Sequence, residues 1–124
     1  MYAKIMIGDK EVELAANAAT PIFYTDTFKK DFYKVTAPLF SGKSDPAENI
    51  GIITELAFIM AMSPHRGFKE MRALKFDDYV EWLTGFENIG IYNAMKDILD
   101  VYLGNNKTLS TQKKEEGQQT GRTQ

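Results

Sequence analysis

The stretch Ile50–Met62 most constrains what this chain can become. It reads IGIITELAFIMAM, with only Thr54 and Glu55 breaking an otherwise apolar or small run. Wound as a helix, its apolar residues Ile50, Ile52, Ile53, Leu56, Ala57, Phe58, Ile59 and Met60 surround the axis and leave no polar face for solvent. A bilayer-spanning helix needs about 20 apolar residues, so a run this short is expected to be a buried core helix. Asp45-Pro46 supplies a cap followed by a first-turn proline, and Ser63-Pro64 and Gly67 supply a stop. The sequence therefore predicts a central helix over 46–62, wrapped by the rest of a chain of 124 residues. That length suits a single domain with a core of its own.

One wrapping element can be derived residue by residue. Gly8-Asp9 fits a two-residue hairpin turn with glycine at its first central position, the type II′ signature. That loop places Ile7 opposite Lys10, Ile5 opposite Val12 and Ala3 opposite Leu14, on one nearly apolar face. The other face pairs Met6 with Glu11, Lys4 with Glu13 and Tyr2 with Ala15. A one-residue slip would destroy the sorting. An isolated hairpin is marginal in water, so its apolar face is expected to lie on the helices that follow.

Those helices are read from spacing and punctuation. Thr20-Pro21, read as a cap followed by a first-turn proline, opens a segment in which Tyr24, Phe28, Phe32 and Val35 recur at helical intervals. The same residues also fit two shorter helices broken near Lys29-Lys30. Pro38 and the loop from Ser41 to Ser44 are expected to end it. A basic stretch, Arg66, Lys69, Arg72 and Lys75, with Phe68, Met71 and Leu74 between, suggests a short helix. Asp78-Tyr79-Val80-Glu81 resembles a capping box, leading into a stripe of Tyr79, Leu83 and Phe86 beside Trp82. A last helix is expected from about Ile91 to Leu103, with Ile91, Met95, Ile98 and Tyr102 inward and Leu99 adjacent. Gly104 stops it. The expected fold is thus α+β, mostly α. A hairpin packs on about four to five helices over residues 1–103, and 104–124 form a disordered polar tail, since Leu109 is its one large apolar residue. Net charge is −2 overall.

The inventory of reactive groups is thin. Cysteine is absent, which removes disulfides, thiolate metal sites and thiol nucleophiles. His65 is the single histidine, in a Pro-His-Arg-Gly stretch without a second ligand, and is expected to be an exposed loop residue. Asp77, Asp78 and Glu81 could pair for acid–base chemistry with His65, but acids at a helix start serve capping equally well. Ser41-Gly42-Lys43-Ser44 lacks the upstream glycine and preceding strand of a phosphate-binding loop. The 66–75 segment could grip phosphates, giving a small helical nucleic-acid-binding regulator as the alternative function. Its acidic neighbours and the absence of net basic charge argue against it. No enzyme activity, cofactor or metal is expected. The N-terminus lacks the apolar core of a signal peptide, so a cytosolic location is expected.

Aromatic residues stand out instead: Phe23, Tyr24, Phe28, Phe32, Phe76, Trp82, Phe86 and Tyr92. Some are needed for the core, while Tyr24, Phe28, Phe76, Trp82, Phe86 and Tyr92 are taken as candidate partner-binding anchors. The order of elements, the run Ala-Ala-Asn-Ala-Ala-Thr-Pro-Ile-Phe-Tyr at 15–24, the Tyr24 to Phe28 step before Lys29-Lys30-Asp31, and Glu81-Trp82-Leu83-Thr84-Gly85-Phe86-Glu87 carry a resemblance. Over roughly residues 3–103 the chain resembles tail assembly chaperones of long-tailed, siphovirus-type phages and prophages of Gram-positive bacteria. Lys29 departs from the glycine common in that turn. The resemblance implies a non-enzymatic protein of the host cytoplasm that coats the helical tape measure protein, helps recruit tail tube protein and leaves before the virion matures. It also implies a frameshift-extended form, with which the lysine codons of Gln112-Lys113-Lys114-Glu115 are compatible, and leaves room for a homo-oligomer. Neither membrane nor nucleic acid is expected as a partner. Helix-in-groove recognition is the expected mode.

Overall fold

Strands β1 (Tyr2–Ile7) and β2 (Lys10–Ala15) pair antiparallel in the register the alternation predicts, with Ile7 opposite Lys10, Ile5 opposite Val12 and Ala3 opposite Leu14. The computed structural model describes residues 1–42 and 45–104, so the expected disordered tail lies outside the described residues apart from Gly104. Gly8 takes φ of +65°, the left-handed conformation the turn requires. Ala3, Ile5, Ile7 and Leu14 are buried, whereas Tyr2, Lys4 and Met6 face outward. The buried face rests on helices, as its apolar character demands.

The long aromatic segment is two helices, α1 (Thr20–Phe28) and α2 (Phe32–Phe40). Lys29 separates them with φ of 58°, and its N–H closes α1 on the Thr25 carbonyl. Asp31 restarts the chain by accepting from the Tyr33 and Lys34 amides. Two local expectations are corrected here. Thr20 is the first helical residue and not the cap, because its Oγ1 accepts from the Asn17 amide while Asn17 Oδ1 accepts from Ala19. Pro38 lies inside α2 and does not end it, since the Ser41 amide still closes a turn on the Ala37 carbonyl.

The central segment begins as a 3₁₀ turn, Pro46–Asn49, capped by Asp45 accepting from the Ala47 amide, and continues as α3 (Ile50–Met62). Every residue from Ile53 to Met60 is buried. Each large apolar side chain so enclosed contributes about 1.5–3 kcal/mol before entropy is charged against it. Thr54 satisfies its hydroxyl on the Ile50 carbonyl at 2.7 Å, so its presence in the run costs little. A 3₁₀ turn, Ser63–His65, follows, then α4 (Phe68–Arg72), α5 (Phe76–Leu83), α6 (Gly90–Asn93) and α7 (Met95–Leu103). Seven α-helical segments among the described residues replace the four to five expected, because two of the expected helices divide, at Lys29 and at Ala94. The fold class is nonetheless α+β, mostly α.

Helix α3 is the hub, touching α1, α5, α7 and β2. An aromatic chain knits these around it: Tyr24 to Phe28 at 5.0 Å, Phe28 to Tyr79 at 5.0 Å, Tyr79 to Phe58 at 5.6 Å and Phe58 to Trp82 at 5.7 Å between ring centroids. Tilted and edge-on pairs of this kind add about 0.5–1.5 kcal/mol each to plain burial. The inward face of the last segment is Ile91, Ala94, Ile98 and Val101. Met95 and Tyr102, expected inward, are only half-buried, because the inward stripe runs through Ile91, Ala94, Ile98 and Val101 at spacings of 3, 4 and 3 and leaves them at its flanks.

Candidate functional site

Glu55 is the most unusual polar residue of the core, being ionisable and within the wholly buried run from Ile53 to Met60. Its carboxylate accepts the Tyr24 hydroxyl at 2.5 Å and the Lys30 ammonium at 3.0 Å through each oxygen. Tyr24 is fully buried and Lys30 is two-fifths exposed. The left-handed turn at Lys29 is what points Lys30 back at α3. Burial first, then the bond to Glu55, pushes the Tyr24 hydroxyl well above the ordinary tyrosine range. Burial, with the Glu55 charge second, pushes Tyr79 up to about 12. A satisfied carboxylate beneath a lysine ties α1 and α2 to α3. Both carboxylate oxygens are engaged by these partners.

The six candidate anchors do not form one patch. Tyr24 and Phe28 are core residues, 0% and 8% exposed, and cannot anchor a partner on this surface. Their helical stripe faces α3, and an aromatic stripe reads the same in sequence whether it meets a core or a partner. Phe76 is exposed and edges onto Phe28 and Tyr79. Trp82 and Phe86 are half-buried, 4.8 Å apart, with Lys10 Nζ 5.6 Å from the Phe86 ring centroid. Tyr92 is exposed on α6.

The reactive residues are used locally. His65 is exposed and bonds Glu13, which also accepts the Tyr2 hydroxyl at 2.6 Å. These donors, Tyr2 first and His65 second, hold the Glu13 carboxyl below its usual range. Asp78 accepts from the Lys75 amide at 2.9 Å and Glu70 from the Gly67 amide at 2.6 Å, so each closes a helix N-terminus. The capping box expected from Asp78 to Glu81 is therefore corrected by one turn: Asp78 is its acid, at the third helical position, and Glu81 is left out of it. Of the basic stretch, Arg72 bonds Asp26 at 2.7 Å and lies over Phe68. Among the described residues no cluster of His, Asp and Glu could hold a metal ion, and no helix is long and apolar enough to cross a membrane.

Open grooves also lie among the described residues. The first, about 440 Å³, runs along the outer side of α6 and α7 and is lined by Tyr92, Met95, Leu99 and Leu103, with Ala47 on its far wall. The four side chains recur at intervals of 3, 4 and 4 residues, one continuous stripe. Asp45, Lys96 and Asp100 edge it, the last two paired at 2.9 Å. Of this set, sequence reasoning gives only Tyr92 as a partner-binding anchor. The spacing to Leu103 was the missed signal, obscured because Met95 fits an inward stripe equally well. The second groove, about 500 Å³, lies between the end of α3, α4 and α5, and includes Trp82. Comparison with protein-family models, with curated proteins and with solved structures finds no match.

Proposed function

We propose that this protein is a tail assembly chaperone of a long-tailed phage or prophage of a Gram-positive host, which binds the helical tape measure protein during tail morphogenesis and is not retained in the virion. The observation that carries the reading is the stripe Tyr92, Met95, Leu99 and Leu103 along its groove, exposed at its two ends and half-buried between them. An amphipathic helix laid there would bury its own apolar face against a stripe of matching period, the mode by which grooves read helices. Many such helices along one long partner would give shallow grooves useful avidity, while each single contact stays weak enough to be released. The resemblance over residues 3–103 gives the partner its identity, and recruitment of tail tube protein through an extended form belongs to the same reading. The work assigned to the protein is association in the host cytoplasm, without bond making or breaking.

The test is association of the full chain with purified helical fragments of a tape measure protein encoded beside it. Binding is expected in the micromolar range and should weaken about 10-fold in Leu103→Glu and Leu99→Glu, which place a charge in the stripe. No association up to about 100 µM with a folded sample would reject the proposal.

A further inference from the structure

The second groove has a chemistry of its own. Its floor is Met62, Ala73, Leu74 and Trp82, and its rim carries Glu70, Asp78 and Glu81 against Arg66 alone. Three carboxylates and one guanidinium leave the rim two negative charges in excess. Glu70 and Asp78 are held in place by the backbone amides they cap, so two of these charges are fixed in position. Glu81 makes no side-chain hydrogen bond or ion pair among the described residues, because Asp78 has taken the capping role. The groove shares no lining residue with the one on α7.

We infer that the groove between α4 and α5 is a second docking surface, for a basic amphipathic helix whose apolar residues seat on Leu74 and Trp82 and whose Lys or Arg residues meet Glu70, Asp78 and Glu81. The commitment to a basic occupant rests on charge complementarity. An apolar segment with acidic flanks would face fixed like charges, and juxtaposed like charges are what interfaces use to refuse a partner. The commitment to a helix rests on the lining, since an apolar floor of Met62, Leu74 and Trp82 bordered by acids matches the apolar stripe and flanking charges of an amphipathic helix. Glu81 is the specificity-determining residue, being the rim acid with no other bond to make. This surface is independent of tape measure binding on α7, so the chain would hold two different segments at once.

Trp82 is the only tryptophan in the chain, and it lies in this groove, so the molecule carries its own reporter. The full chain is titrated with a tryptophan-free helical peptide of leucine and lysine, and separately with the same peptide carrying glutamate in place of lysine. Expected is a saturable blue shift of Trp82 emission with the basic peptide, weakened at least about 5-fold by raising salt from about 50 to 300 mM. Glu81→Lys should weaken binding about 10-fold and Glu81→Gln by less, with unchanged helicity because residue 81 is exposed. Leu103→Glu should leave the titration unchanged. The inference is overturned by no emission change up to about 100 µM, by equal response to the acidic peptide, by indifference to Glu81→Lys, or by loss in Leu103→Glu. Loss of tape measure binding in Leu103→Glu with the Trp82 titration intact would uphold both surfaces separately.

Discussion

Removing Glu55 and Tyr24 singly and together tests whether the buried bond between them stabilises the fold. Tyr24→Phe deletes the hydroxyl and leaves the carboxylate with Lys30, an ammonium two-fifths in solvent. One hydrogen bond to a charged acceptor is lost, at about 1–3 kcal/mol. Glu55→Leu keeps similar bulk but strands the Tyr24 hydroxyl, which has no exposure and hence no water to turn to. An orphaned donor of this kind costs about 1–3 kcal/mol, while the partly exposed Lys30 pair adds at most about 1 kcal/mol. The double variant removes donor and acceptor together and leaves nothing unsatisfied. It should therefore be more stable than the sum of the singles implies, by about 1–3 kcal/mol. Urea unfolding at neutral pH measures all four corners of the cycle, provided the denaturant slopes agree. Additivity within about 0.5 kcal/mol would refute the reasoning and show the Tyr24–Glu55 contact to be energetically idle.

Other outcomes follow from the same geometry. Tyr79 is pushed up to about 12 from 10.0. The native state thus keeps a proton the unfolded state releases, and stability is full below pH 10 and falls as pH rises towards 12, by about 3 kcal/mol from this group. Tyr24 adds to the fall in the same direction, and Tyr79→Phe should flatten the profile in alkaline urea titrations. Lys29→Gly relieves a left-handed lysine worth about 1 kcal/mol and adds chain entropy of about 0.5–1 kcal/mol, so a stability between unchanged and about 0.5 kcal/mol higher is expected in urea unfolding; a loss of about 1 kcal/mol would contradict it. Gly8→Ala forces a side chain into φ of +65° and should lower the thermal midpoint by a cost of about 1–2 kcal/mol.

How much could be read beforehand differs by element, for physical reasons. The hairpin register followed from residues 2–15, because a period of two and a glycine turn permit a single sorting of apolar from polar. The central helix was equally plain, since a run apolar on every side has nowhere to go but inside. The acid assigned to the α5 cap was misplaced because two carboxylates, Asp78 and Glu81, stand three residues apart, and either spacing can close a box. The α7 groove is hard to read in sequence because Met95 and Leu99 satisfy an inward stripe almost as well as an outward one, and it is the small Ala94 that takes the inward position. Tyr24 and Phe28 were taken for anchors because aromatic side chains are equally at home in cores and at interfaces. Glu55 announced itself as an interruption, but its partner Lys30 becomes a neighbour only through the turn at Lys29.

The seating of β1 against α6 and α7 has a consequence in time. Strand β1 precedes the helices that cover it by some ninety residues of synthesis. Until then Ile5 and Ile7 have no lid, and a chain cut short before α7 would carry a greasy ribbon bare to the cell. That face of β1 is covered only once synthesis has passed the end of α7.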